Sequence, residues 1–269
     1  WMDLDTNLGA DPFHFIGYES SAYSIAKTLI ISVMLIDDQY EKDVAIDAIL
    51  QVWYSSGWSK ATLKLFRAAA NKAKSLSTHK DVLELLHLWA DTEALSLKMA
   101  REKWLQKIDH SLFDPTVNCL KKKARKILTQ YFLTGQLLPA SFGSITMFNL
   151  PDSYVGRSRN ESCFHSIKIN ILAKSAKNCD GDFVGGAISI LREKIGLLKD
   201  RIAKNLVKIS INEHPAMVSL SNSKVINEIR LHCPYSISWN NCLDYMSIKD
   251  FHRLARVCSA PQDTVHYGY

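Results

Sequence analysis

The chain has 269 residues, 47% of them apolar, enough to bury a sizeable core in one large domain or two small ones. Its net charge of +6 is mild for 33 basic and 27 acidic residues, and excludes a uniformly basic chain. The longest apolar helical stretch, 22–36, is broken by Lys27 and falls short of the ~20 residues a bilayer span needs.

The opening Trp-Met-Asp-Leu-Asp is acidic, with no apolar run behind it, and does not read as a signal peptide. Six cysteines, at 119, 163, 179, 233, 242 and 258, form no C-x-x-C pair. His232-Cys233 and Cys163-x-His165 come nearest to paired metal ligands, and each fits ordinary buried Cys and satisfied His. The expectation is reduced thiols, a cytoplasmic compartment and no metal site.

In chain order, Phe-His-Phe-Ile-Gly-Tyr at 13–18 predicts a buried strand, followed by Glu19 and a helix capped by Ser20 or Ser21. Tyr23, Ile25, Ala26, Leu29, Ile30, Val33 and Met34 give that helix its spacing. A second cycle follows, with a strand over 48–54, a turn at Ser55-Ser56-Gly57 and a helix over 59–73. The region 78–135 reads as helical throughout, too long for one crossover, and predicts a helical insertion packed on a sheet. Strands are expected at 143–150 and 162–171 around a polar loop, then a helix over 182–206. The C-terminal part predicts a helix at 222–232, a strand at 235–239, a helix through Phe251, Leu254, Ala255 and Val257, and a strand at 264–269. The whole reads as one domain, 1–269: an α/β, Rossmann-like, mostly parallel sheet with flanking helices and the helical insertion 78–135.

Ligands of open parallel sheets sit beyond the carboxyl ends of the strands. Two such ends carry polar residues here: Gly17-Tyr18-Glu19, and Asn240-Asn241 with Asp244. A carboxylate there accepts hydrogen bonds from both hydroxyls of a ribose, and Tyr18 offers a flat face to an adenine. The competing reading makes Glu19 a helix cap and Asn240-Asn241 a turn. Asp180-Gly-Asp182 beside Gly185-Gly186 fits either a phosphate-binding turn or ordinary Asp capping. Lys121 to Lys126 fits either RNA phosphates or a solvated helix face, with Ile127, Leu128, Tyr131 and Phe132 for the buried side. There is no G-x-S-x-G, no Walker loop and no H-E-x-x-H.

His-Phe-Ile-Gly-Tyr-Glu at 14–19 with Ser-Ala-Tyr-Ser-Ile-Ala-Lys at 21–27 resembles the second strand and following helix of class I S-adenosylmethionine-dependent methyltransferases. Residues 238–246 with Phe-His-Arg-Leu-Ala at 251–255 resemble the fourth strand and its helix. The layout is similar to an uncharacterised methyltransferase-like family found beside MYND zinc fingers and related to the N-terminal part of dynein axonemal assembly factors. Ile-Leu-Gln-Val-Trp-Tyr at 49–54 and residues 131–139 add to that likeness.

The resemblance implies an S-adenosylmethionine site formed by Gly17, Tyr18, Glu19, Asn240, Asn241 and Asp244. It departs from the family in lacking a strand and glycine-rich turn before Phe13, where only Gly9 stands. A complete sheet of that type needs a strand before Trp1 and another after Tyr269, so the expectation is a fragment of a longer protein or a substitute segment. The alternative function is an inactive Rossmann-like scaffold that holds protein partners on 78–135, where Trp89 and Trp104 serve as anchors or as core.

Overall fold

The computed structural model describes residues 12–19, 21–55, 57–91, 122–134, 137, 145–147, 167–213, 221–239, 246–260 and 264–267. They fall into two compact units, residues 1–213 and 214–269.

In the first unit, β1 (Phe13–Glu19) runs into α1 (Ala22–Ile36), whose cap is Ser21: its side chain accepts the Ser24 amide at 3.4 Å. From Ile25 to Leu35 nearly every side chain of α1 is buried, Lys27 and Ser32 included, so its all-round apolarity belongs to a central helix. Packed on it are α2 (Lys42–Tyr54), α3 (Lys60–Ala73), α4 (Lys80–Asp91) and α7 (Phe183–Ala203). Lys199, on α7, reaches across to the carboxyl end of α1. There its ammonium donates to the carbonyls of Leu35 at 2.9 Å and Asp37 at 3.1 Å, cancelling partial negative charge left by unpaired helix carbonyls. The Lys72 ammonium beside Asp37 holds that carboxyl below its ordinary range.

The strand expected at 48–54 is helix, the end of α2. Ile46, Leu50 and Tyr54 fall on one stripe, in a cluster with Leu172, Val184, Ala187 and Leu191. Ala48, Ile49 and Val52 fall on another, in the cluster built around α1. A helix buried on two sides presents a continuous apolar run, which periodicity alone does not separate from a buried strand. Short β2 (Gly57–Ser59) follows, with Trp58 buried and its indole N–H donating to the Ser55 carbonyl at 3.0 Å. Ser59 then caps α3.

Within the expected helical insertion, α4 and α5 (Lys122–Thr134) are helical, and 92–121 lies outside the described residues. α5 is tied down by Tyr131, whose buried hydroxyl donates to the Tyr54 carbonyl at 2.6 Å. β3 (Ile145–Met147) pairs antiparallel with β2, inside the strand expected at 143–150. The strand expected at 162–171 is corrected: from Ile169 the chain is helix, α6 (Ile169–Asn178). Leu172 and Ala176 of α6, four apart, are buried, the spacing of a helix face. α6 turns into α7 through Asp180 and Gly181, both at positive φ, and the two helices cross tightly. A Cβ on Gly186 would lie 2.7 Å from the Ala176 amide nitrogen, so only glycine fits there.

β4 (Val207–Glu213) closes the unit by pairing parallel with β1, from Phe13 opposite Val207 to Glu19 opposite Glu213. Phe13, Ile209 and Ile211 pack on the core, whereas His14 and Lys208 are exposed. The expected buried strand at 13–18 is therefore half exposed, Phe15 reaching 36%. The outer face of this pair is open to solvent, where parallel sheets ordinarily have both faces covered.

The second unit contains α8 (Ser223–Leu231), β5 (Ser236–Ser238), α9 (Ile248–Cys258) and β6 (Val265–Tyr267). β5 and β6 pair in parallel and α9 lies between them in sequence, a β-α-β order. Asn222 caps α8 and Ser247 caps α9. Among the described residues no helix is long and apolar enough to cross a membrane.

Candidate functional site

The sequence-based site divides between the two units. Gly17, Tyr18 and Glu19 form the carboxyl end of β1, whereas Asn240, Asn241 and Asp244 lie outside the described residues.

Glu19 ends β1 and α1 starts three residues later, so its carboxylate sits at a strand-to-helix junction. It is half buried, and its Oε1 accepts the Ser21 amide at 3.0 Å. One carboxylate oxygen thus helps to cap α1, as the capping reading requires, and the group also lies where an acceptor for ribose hydroxyls would stand. Tyr18 is half buried with its hydroxyl enclosed. Gly17 is not a close-approach glycine: a Cβ there would meet nothing nearer than the Ser210 carbonyl at 3.9 Å. Deeper in α1, buried Lys27 lies over the ring of Trp53, 4.9 Å from its centroid, a cation–π contact.

Among the described residues, two cavities lie elsewhere. One, of about 550 Å³, opens at the amino ends of β1 and β4 between Phe13, His14, Asp38, Asn205 and Lys208. The other, about 710 Å³, runs between α2 and α7 over Ile46 and Gly196. Its walls are closed by ion pairs, Lys42–Asp200 at 2.6 Å and Arg192–Asp47 at 2.6 Å. The turn at 180–182 is explained by capping: Asp182 accepts the Val184 amide at 2.9 Å and occupies the amino end of α7 with its own carboxylate. Trp89 is core, 3% exposed and packed on Phe66 and Tyr23, and does not anchor a partner. Trp104 lies outside the described residues.

The second unit holds a polar chain absent from the sequence reading. The Trp239 indole N–H donates to His266 Nδ1 at 3.0 Å, and His266 Nε2 lies 2.9 Å from Ser259 Oγ. The Ser259 hydroxyl in turn donates to the Ala255 carbonyl at 2.9 Å. Nucleophile and imidazole at that separation invite comparison with a hydrolytic Ser–His pair. The donor directions rule it out. An indole N–H only donates, so Nδ1 is the acceptor and Nε2 carries the proton, which leaves no lone pair to take the serine's proton. Desolvation lowers the His266 pKa, keeping the ring neutral. Neighbouring Cys258 is fully buried, its thiol pushed up to about 11 by desolvation, and is no nucleophile at neutral pH. Sequence signals for this chain were thin, since Trp, Ser and His stand 27 residues apart at most with no motif spacing.

Among the described residues no group of three or more His, Cys, Asp or Glu could hold a metal ion. No family model, curated protein or solved structure matches the chain.

Proposed function

We propose that the chain is a methyltransferase-like domain of Rossmann-like design that binds S-adenosylmethionine at the carboxyl end of β1, with Glu19 accepting from the ribose. The observation that carries this reading is the junction itself: a parallel strand ending in a half-buried carboxylate that leads at once into the central helix. The β5–α9–β6 order, with Asn240 and Asn241 following β5, lends support. Of the cofactor, the residues fit the ribose, through Glu19; Gly17, in an extended strand, supplies no cradle for the methionine end. Methyl transfer in such folds depends largely on positioning donor and acceptor, so a dedicated catalytic acid is not required.

A scaffold without catalysis is the second reading, favoured by the extended backbone of Gly17, which supplies no cradle for the methionine end. Thermal unfolding with S-adenosylmethionine separates the two. A ligand at 100 times its Kd stabilises the folded state by about 2.7 kcal/mol. Glu19→Gln keeps an acceptor for the Ser21 amide and removes the charge; it is expected to weaken cofactor binding roughly tenfold, the worth of ~1.4 kcal/mol. Absence of any shift or calorimetric heat with the wild-type chain would leave the scaffold as the reading to keep.

A further inference from the structure

The segments 122–134 and 168–181 carry Lys122, Lys123, Arg125, Lys126, Lys168, Lys174 and Lys177 against a single acid, Asp180. Their difference equals the formal excess of the whole chain, +6, so the rest of the sequence is electrically balanced. All seven cations are exposed.

Tertiary packing brings the two runs together. Tyr131 and Ile127 of α5 share one hydrophobic cluster with Leu172 of α6 and Val184 of α7, so both helices turn apolar faces to one core and basic faces outward. Lys123 Nζ lies 3.9 Å from Asp180 Oδ2, placing the start of α5 at the α6–α7 turn, three residues beyond Lys177. On α6, Lys174 and Lys177 stand one turn apart, flanked by exposed Asn170, Ile171 and Asn178. Neither α5 nor α6 contains an acidic residue to neutralise these rows internally.

We infer that this two-helix basic surface binds the phosphate backbone of a single-stranded nucleic acid. The rows are short and lie on separate helices, so an occupant that can adapt its path meets both. A flexible strand does this, whereas a duplex with a persistence length of about 150 bp bends only at a cost. Among the described residues, the exposed side chains of α5 and α6 are lysines, an arginine, amides and one isoleucine, a set that neutralises phosphates. Contacts to the phosphate backbone therefore carry the binding. The surface is separate from Glu19 and does not depend on cofactor binding.

The test is fluorescence anisotropy of the full chain with labelled 20-mers of uridylate and thymidylate across a salt series. Releasing counterions from four to six phosphates gives a log–log slope of about −3 to −4 for single strands. The double variants Lys122→Gln/Lys126→Gln and Lys174→Gln/Lys177→Gln are each expected to weaken binding and to flatten the slope by about 1.4. Lys60→Gln/Lys64→Gln, which removes the same charge from exposed positions of α3, is expected to bind as the wild type does. Circular dichroism melts of each variant verify that these surface changes leave the fold intact. The inference is overturned if the control weakens binding as much as the others, if only one row matters, or if duplex DNA or phosphatidylserine vesicles bind and the 20-mers do not.

Discussion

His266 shows how one donor direction decides what a side chain can do. Its Nδ1 faces an obligate donor, the Trp239 indole, so protonation would set two N–H groups against each other. Burial lowers its pKa, and Cys258, adjacent in sequence to its partner Ser259, is a neutral thiol. A histidine depressed in the folded state contributes stability that is present above its unfolded value of about 6.5 and is lost as pH falls through that value toward the folded pKa. The second unit is thus expected to lose stability as pH falls below about 6.5. Trp239→Phe removes the opposing donor, and the His266 titration, followed by NMR at its Cε1 proton, is expected to move upward. An unmoved or lower pKa in that variant would show that the indole does not oppose protonation.

At the scale of elements, the carboxyl end of α1 depends on a side chain from 162 residues away or more. Lys199 is 7% exposed and satisfies two carbonyls at the end of α1, those of Leu35 and of the capping residue Asp37. Lys199→Met keeps most of the aliphatic volume and removes both bonds. Bonds to charged groups contribute about 1.5–3 kcal/mol each, part of which is offset by no longer burying an ammonium, so a net loss of ~2 kcal/mol is expected. Urea unfolding should record it as a lower midpoint at unchanged slope. A loss no larger than about 0.5 kcal/mol, the usual range for a surface substitution, would mean that water replaces the ammonium there.

At the scale of the molecule, both hydrophobic clusters of the first unit are built from residues no later in the chain than Ile211. A unit that owns its core is expected to fold alone. Residues 1–213 produced by themselves should unfold in one cooperative urea transition with the Trp58 environment intact. A non-cooperative melt would show that residues 214–269 are needed for its stability.

Local chemistry written in the sequence accounts for much of this architecture. Ser21, Ser59, Asn222 and Ser247 each mark a helix start through a short side chain that accepts a nearby amide. β1, α1, α3 and the β5–α9–β6 order were legible from composition and spacing alone. β4 was legible too, though unread: Val207, Ile209 and Ile211 alternate with Lys208, Ser210 and Asn212, the period of a half-buried strand. The position of Glu19 at a strand end followed from the same local grammar. What the tertiary structure alone decided are contacts between distant segments. The helical state of α2 rests on two clusters burying its opposite sides, and the pairing of β1 with β4 joins strands nearly 200 residues apart. The tautomer of His266 and the merging of two lysine rows belong with them. In each, the deciding partner is brought near by packing, and nothing in a short stretch of sequence encodes which distant group will arrive.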